Sequence, residues 1–261
     1  MSDDYGLEPR DRLLLLNLAI QYDEQLAAIH AVLGLHKKAA KEIEAERLSI
    51  EAAMKRLDGM AFDDAQDDWG ANFYRSVYAE ASYSIGALVM IAPFVEALFH
   101  QVYLAIATQP APSPLAGTHA RWQSGDNRQW DCHFVFRNGR FYKDLVPGVI
   151  QIADAIGLSQ HLPQDLPARL AALFAYRNKM FHHGLEWPMQ QRLAFQRQIE
   201  AWPTHWFEKS ESDHKPWIFY LSQSFLDEFM ALINPTLDGM GAFIEEKRIG
   251  VVTVPWPFED S

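Results

Sequence analysis

The sequence predicts an all-α protein, a helical bundle with a long N-terminal helix and small β-hairpin decorations. Apolar residues recur at helical spacing through most of the 261 residues. The stretch from 36 to 56 lacks proline and is rich in strong helix formers. Only two short segments have the apolar and aromatic composition of paired strands. We therefore expect the core to be built by helices, with the strands at its margin.

The composition limits the class of protein. Hydrophobic residues make up 49% of the chain and charged residues 22%, which are ordinary values for a globular domain. A formal net charge of -11 argues against a surface that binds nucleic acid everywhere, but it allows a local basic cleft. The single cysteine, Cys132, excludes an intramolecular disulfide and a zinc site built on several cysteines. We expect a cytoplasmic protein with no metal and no cofactor.

The longest apolar stretch, from 85 to 107, is long enough to span a bilayer. It contains Pro93, Glu96, His100 and Gln101, and this polar content favours a buried core helix over a membrane span. The N-terminus is acidic where a signal peptide would be basic. The sequence therefore predicts no membrane association.

The N-terminal region predicts a helical extension over residues 1–60, followed by a helical domain over 61–261. Residues 10–58 indicate one long helix or a tight helical pair. Its thin apolar stripe favours a helix that packs by one edge, with a coiled-coil contact to a second copy as the alternative. Residues 60–70 contain four aspartates and predict a solvated linker, because their spacing does not match an EF-hand loop.

Residues 72–108 predict a central helix, which Pro93 kinks or divides. Glu96 and His100 are four residues apart and share a face in apolar surroundings. Buried polar groups need partners, so the two side chains either satisfy each other or Glu96 faces the functional site and orients Arg177.

The remaining elements follow from turn and cap signals. Asn138-Gly139 lies between apolar and aromatic residues and predicts a β-hairpin. A second small hairpin is expected across 208–216. The other expected segments are a loop at 109–126, helices at 147–156, 189–201 and 224–247 with breaks near Pro235 and Gly239, and an extended tail at 251–258.

One more helix carries the candidate site. Asp165 is a plausible N-cap, Pro167 is tolerated in the first turn, and Gly184 can close the helix after His183. Steps of three and four place one stripe along it, made of Leu166, Leu170, Leu173, Phe174, Arg177, Met180 and Phe181. A guanidinium in an apolar stripe must meet a carboxylate, a phosphate or water, since burying it alone is costly. A side chain that extends along the core edge to solvent is the alternative.

The residues after Arg177 suggest acid–base chemistry. Asn178 and His182 are four apart and are neighbours on one face. His182 and His183 lie in the last turn, where the helix dipole favours a cation, so a simple dipole cap is the alternative. Histidine can act as a general base or acid, and arginine can bind a phosphate with two hydrogen bonds. These are the groups needed to cleave RNA without a metal.

The segment Arg-Asn-Lys-Met-Phe-His-His-Gly at 177–184 resembles the Arg-x4-6-His motif of HEPN domains, especially the Arg-Asn-x-x-x-His form. The resemblance covers roughly residues 72–247 and implies a metal-independent endoribonuclease, or a relative that has lost activity. By motif position, it implies that Arg177 and His182 are catalytic and that Asn178 has a positioning role. His183 and Glu96 are then possible helpers.

Partners also follow from the resemblance. Arg177 and His182 are about 140° apart around an ideal helix. Many HEPN domains dimerise so that two motif helices form one cleft, which implies a homodimer. The resemblance also implies RNA as substrate and an antitoxin protein as a partner, in a defence or toxin–antitoxin context. Between 165 and 198 five cations outnumber two acids, and Lys179, Arg192 and Arg197 are candidates for RNA contact.

Two alternatives remain at this stage. A non-catalytic HEPN-like module would use the same cleft to bind or sense nucleotide or RNA. Metal-dependent hydrolysis through His182, His183 and Glu186 is the weaker reading, because the His-Glu-x-x-His arrangement is missing.

Overall fold

A computed structural model describes residues 8–109 and 119–250 of the chain. It is mostly helical with two small antiparallel hairpins, which confirms the predicted all-α character and the hairpin decorations. The described residues form six α-helices: α1 Tyr22–Met54, α2 Gly59–Ala107, α3 Leu145–Ile156, α4 Leu166–His183, α5 Met189–Ile199 and α6 Gln223–Lys247. The hairpins are β1 Phe134–Arg137 with β2 Arg140–Lys143, and β3 Phe207–Ser212 with β4 Lys215–Leu221. Short 3-10 helices cover Pro9–Leu16, Trp122–Ser124 and Leu158–His161.

The chain divides into two compact units. The first unit contains the residues up to Gln21, then Val95–Pro167, and the residues from Met230 onward. The second unit contains Tyr22–Phe94 and Ala168–Phe229. The predicted tail at 251–258 and half of the predicted loop at 109–126 lie outside the described residues.

The first unit contains the last quarter of α2, all of α3 and the part of α6 from Met230 onward, and these helices supply buried side chains to its core. Tyr103 is fully buried, and its hydroxyl donates a hydrogen bond to the Val149 carbonyl at 2.8 Å. Hairpin β1–β2 turns at Asn138 and Gly139, whose φ angles are 49° and 77°. Both angles are positive, as the predicted Asn-Gly turn requires.

Aromatic side chains dominate the core of the second unit. The Tyr176 hydroxyl of α4 donates to the Phe219 carbonyl of β4 at 2.9 Å. Around it pack the rings of Trp187, Phe195, Phe207 and Phe219, with centroids 5.0–6.3 Å apart. Rings that meet edge to face or offset gain energy beyond the area they bury, so this cluster fixes α4 against the β3–β4 hairpin.

The N-terminal prediction is correct in part. The first turns are a 3-10 helix that ends where Asn17 adopts a left-handed φ of 48°, and α1 begins only at Tyr22. The prediction of a linker at 60–70 is wrong, because these residues form the first turns of α2. Most of them are exposed, so the solvated character was read correctly. Trp69 reaches back to α1, where its Nε1 donates to Glu51 at 3.4 Å, and this contact favours helix over loop.

Neither internal proline ends its helix. Pro93 lies within α2, with buried Ala92 and Phe94 on either side. Pro235 lies within α6 and points to solvent, so its ring displaces no core side chain. The predicted break near Gly239 is also wrong, because the glycine is buried and its missing Cβ admits the carbonyl of His161.

Among the described helices, α2 is long and apolar enough to cross a membrane by length and composition. Half of its most apolar stretch is buried inside the protein. The core helix of a globular protein has the same character, so this feature is weak support for a membrane span.

Candidate functional site

Helix α4 presents the predicted motif at its C-terminal end. The apolar stripe is buried at Leu170, Leu173, Phe174 and Met180, as helical spacing predicted. Gly184 then adopts a φ of 70°, and its N–H donates to the Met180 carbonyl at 2.9 Å. This is the left-handed closure predicted from the sequence, and it leaves the last turn at the surface.

Phe181 departs from the prediction. It was placed in the apolar stripe, but 61% of its surface is exposed. The guanidinium of Arg177 lies over this ring, 5.0 Å from its centroid, which is a cation–π arrangement. The stripe therefore ends at Met180, and Phe181 carries apolar surface into the motif turn.

Arg177 is half-buried at the edge of the stripe. Its Nη1 donates to the side-chain oxygen of Asn178 at 3.3 Å. The guanidinium of Arg177 thus contacts both the Asn178 amide and the Phe181 ring. Asn178 therefore contacts the guanidinium of Arg177, and its predicted positioning role in a reaction stays a prediction.

His182 and His183 are both exposed in the last turn of α4. Their ring centroids lie 6.4 Å apart, with the planes tilted by 58°. Both imidazoles are open to solvent. The last turn thus combines a part-buried cation, an amide and two accessible imidazoles.

The three candidates for RNA contact have different surroundings. Lys179 donates to the Gln191 side chain at 2.6 Å, and Arg192 donates to the Pro216 carbonyl at 3.0 Å. These bonds tie α4 and β4 to α5. Arg197 is exposed and donates along its own helix to Leu193 at 3.3 Å. Their predicted role in binding RNA stays a prediction.

Glu186 pairs with Tyr78 and does not join His182 and His183, as a metal site at this turn would require. It accepts a hydrogen bond from the Tyr78 hydroxyl, and this bond raises the pKa of Tyr78. In the described ranges, His182, His183 and Glu186 do not form a group of metal ligands. The geometry gives no support to metal-dependent hydrolysis at this turn.

A second group of chemically active side chains lies in the first unit, and we call it the histidine–cysteine cluster. It consists of His100 from α2 with Asp131, Cys132 and His133 from the segment before β1. One potential ligand atom from each of the four lies within 4.8 Å of the others. His133 Nδ1 is 2.6 Å from Asp131 Oδ1, and His133 Nε2 is 2.9 Å from Glu96 Oε1.

This geometry changes the interpretation of Glu96 and His100. The sequence predicted a pair on one helix face, whereas Glu96 lies against His133 from another element. The His100 ring packs 4.9 Å from the His133 ring. The helper role predicted for Glu96 towards Arg177 remains a prediction.

Burial and charge shape the chemistry of the cluster. Burial raises the pKa of Cys132 to about 12, and the nearby carboxylates of Asp131 and Glu96 act in the same direction. Burial also acts to raise the pKa of Asp131, but hydrogen bonds from the His133 backbone and ring outweigh it and lower the pKa. The cluster therefore holds an ionised carboxylate next to a buried thiol.

Arg121 fixes the backbone that carries the cluster. Its side chain is 0% exposed and uses all five N–H donors, four of them on main-chain carbonyls. Burial lowers the pKa of Arg121 to about 10, so the guanidinium is charged at neutral pH. The acceptors are the carbonyls of Arg128, Gln129, Asp131 and Phe134, and the side chain of Gln151.

Sequence reasoning found the motif turn and missed this cluster. The motif residues are adjacent in sequence, so helix geometry alone relates them. His100 and Asp131 are separated by a segment of irregular structure, and no spacing rule connects them. The one available signal was Asp-Cys-His at 131–133, three potential ligands in a row directly before a predicted strand.

Comparison with protein-family models, with curated proteins and with solved structures gave no match for this chain. The assignment of a function therefore depends on the residues and the geometry described above.

Proposed function

We propose that this chain is a metal-independent endoribonuclease of the HEPN type, on an HEPN-like helical domain. The observation that carries the proposal is the exposed last turn of α4. It presents Arg177 and His182 together with Asn178 on a helix whose other face is firmly buried. The sequence motif and the accessibility of the turn support the same assignment.

In the proposed reaction, an imidazole acts on the ribose 2′-OH. His182 accepts the hydroxyl proton as the oxygen attacks the adjacent phosphorus, and the 5′-oxygen leaves with a proton from solvent or a second imidazole. The products are a 2′,3′-cyclic phosphate and a free 5′-hydroxyl. Arg177 offsets the charge that builds on the phosphoryl oxygens.

The surroundings of Arg177 suit this role. A guanidinium held by Asn178 and the Phe181 ring loses less freedom when a phosphate binds. Its partial burial also strengthens its attraction to an anion, since the local dielectric is lower than that of water. Both effects favour phosphate binding at this turn.

The angular separation of Arg177 and His182 supports a site completed by a second copy of the chain. At about 140° around the helix, one protomer directs the two side chains to different sides. The exposed ring of Phe181 offers apolar surface beside them for a contact between copies. We propose a homodimer in the cytoplasm, acting on cellular RNA in a defence or toxin–antitoxin setting.

The test is RNA cleavage by the full chain and by Arg177→Ala and His182→Ala. We expect each substitution to reduce the rate by about 100- to 10,000-fold, the usual range for losing a group that transfers a proton or stabilises the transition state. EDTA should leave the rate unchanged. Each preparation is also melted with and without EDTA, so that loss of a structural ion is distinguished from loss of a catalytic one.

Two exposed residues of the second unit provide matched controls. Arg75→Ala on α2 and His30→Ala on α1 remove the same side-chain types from helix surfaces, and both should cleave RNA at the wild-type rate. Equal activity in all variants would contradict the catalytic assignment. Binding of RNA without cleavage by the unmodified protein would favour the non-catalytic binding or sensor module.

A further inference from the structure

We propose that the histidine–cysteine cluster is a structural site for a zinc-class divalent ion, bound by His100, Asp131, Cys132 and His133. The proposal does not depend on the proposed ribonuclease activity. Four donors from two parts of the chain converge, and each lies within 4.8 Å of the others. Zinc in structural sites takes four protein ligands from histidine, cysteine and carboxylate.

The separations between donors suit a tetrahedral ion. Bonds of about 2.0 Å place tetrahedral nitrogen and oxygen ligands about 3.3 Å apart. Asp131 Oδ1 lies 2.6 Å from His133 Nδ1 and 3.9 Å from His100 Nδ1. These two distances bracket the tetrahedral value, so a shift of under an ångström brings either pair of atoms to it.

The second nitrogen of His133 already has an outer partner. Nε2 lies 2.9 Å from the Glu96 carboxylate, which favours a proton on this nitrogen. Ion binding would release to solvent the Nδ1 proton that otherwise hydrogen-bonds to Asp131, and the Nδ1 lone pair would then face the centre of the cluster. A carboxylate that orients a histidine ligand from behind is a regular feature of zinc sites.

His100 supplies an independent observation. Its Nδ1 is buried and, within the residues that the structure describes, has no hydrogen-bond partner. The nearby Asp131 oxygen at 3.9 Å is too far for a hydrogen bond. A buried imidazole nitrogen without a partner costs free energy, and a metal ion at the centre of the cluster would satisfy it.

The backbone of the cluster is fixed without the ion. Arg121 binds the carbonyls of residues 128, 129, 131 and 134, on both sides of Cys132. Gly148 of α3 lies so close that an added Cβ would be 2.2 Å from the Cys132 carbonyl. The loop is therefore held in place from two directions, and little reorganisation opposes binding.

The donor set selects among ions. A thiol and two imidazoles favour zinc and related transition metals, whereas calcium and magnesium prefer oxygen ligands. Binding would deprotonate Cys132, since a coordinating thiol loses its proton to the metal. Side chains of His100, Asp131 and His133 are 29–30% exposed, which gives an ion access to the site.

The experiment is a titration of the metal-free full chain with Co²⁺, followed by displacement with Zn²⁺. We expect one ion per chain, with the visible absorption of tetrahedral cobalt and a thiolate charge-transfer band. Zn²⁺ should abolish both signals and raise the melting temperature. Cys132→Ala should lose the charge-transfer band. Glu96→Ala removes an outer partner and should weaken zinc binding by about 10- to 100-fold. His100→Ala removes a direct ligand and should weaken zinc binding by more than that.

The double variant His182→Ala/His183→Ala is the matched control, because it removes the exposed histidine pair of α4 and should bind cobalt unchanged. His100 is partly exposed on a helix, so its variant keeps the test valid if Cys132→Ala does not fold. A folded chain that gives no tetrahedral spectrum would overturn the proposal. A spectrum that survives Cys132→Ala and His100→Ala, or that is lost in the control, would also overturn it.

Discussion

At the scale of single residues, Arg121 is the most constrained charge among the described residues. Its donors meet four main-chain carbonyls and one amide oxygen. A cation held by neutral dipoles costs desolvation energy, which the hydrogen bonds and the nearby Asp131 carboxylate offset. The side chain therefore acts as a scaffold for an irregular segment that has few backbone hydrogen bonds of its own.

Replacing Arg121 by methionine should lower the free energy of unfolding by at least about 3 kcal/mol, because each buried acceptor left without a donor costs roughly 1–3 kcal/mol. Urea unfolding measures the change. Arg137→Met, on β1 of the same hairpin, is the control. That side chain is 55% exposed, and its ion pair with Asp144 should contribute less than about 1 kcal/mol. Similar losses in the two variants would contradict the scaffold role.

Arg177 shows how little a residue's type says about its surroundings. The sequence placed a cation in an apolar stripe, which left a carboxylate, a phosphate or water as its partner. The structure adds the ring of Phe181 and the amide of Asn178. Both come from the same helix, so helix geometry was sufficient to bring them within reach of Arg177.

At the scale of elements, the glycines of the helices have different roles. Gly239 is buried in α6, where an added Cβ would be 2.0 Å from the His161 carbonyl. Gly34 is exposed in α1 and has no atom within 4 Å of such a Cβ. The close approach of two backbones requires a glycine at position 239, whereas nothing around position 34 requires one.

This difference predicts opposite effects for the same substitution. Gly34→Ala should raise the free energy of unfolding by about 0.5–1 kcal/mol, since alanine is the better helix former. Gly239→Ala should lower it by more than about 1 kcal/mol, because the methyl group forces backbone apart in a packed core. Thermal and urea unfolding of the two variants provide the measurement. A gain in stability at Gly239 would show that the contact with His161 is loose.

At the scale of the whole molecule, the proposed function requires two copies. If Arg177 of one protomer and His182 of the other act on one phosphate, each single variant inactivates both sites of its own homodimer. A mixed dimer of the two variants recovers one complete site. A site contained within one protomer cannot be recovered in this way.

Mixing Arg177→Ala with His182→Ala, after dissociation and reassociation, should therefore restore RNA cleavage to roughly a quarter of the wild-type rate, since half of the dimers are mixed and each has one working site. Cleavage is measured alongside the mass of the assembly in solution. Mixing either single variant with a chain that bears both substitutions should restore no RNA cleavage. A dimer without recovery in the mixed sample would place Arg177 and His182 of the same protomer at one phosphate.

Local sequence determined the helices, both hairpins and the motif turn. Helical spacing located α4, Gly184 closed it, and Asn138-Gly139 set the β1–β2 turn, because each of these signals acts over a few adjacent residues. The same local rules failed at 60–70 and at Pro235, where an aspartate run and a proline were taken as breaks although the helix continues. At Pro93 the helix is not divided, and the kink stays a prediction.

Tertiary structure alone decided where distant residues meet. His100 joins Asp131, Cys132 and His133 only because α2 packs against the segment that Arg121 holds, and no periodicity in the sequence encodes that approach. Tertiary packing likewise decided which residues of the α4 stripe are buried: Met180 is the last buried one, and Phe181 is exposed to solvent. The sequence thus determined the motif turn through short-range geometry, whereas long-range packing created the histidine–cysteine cluster.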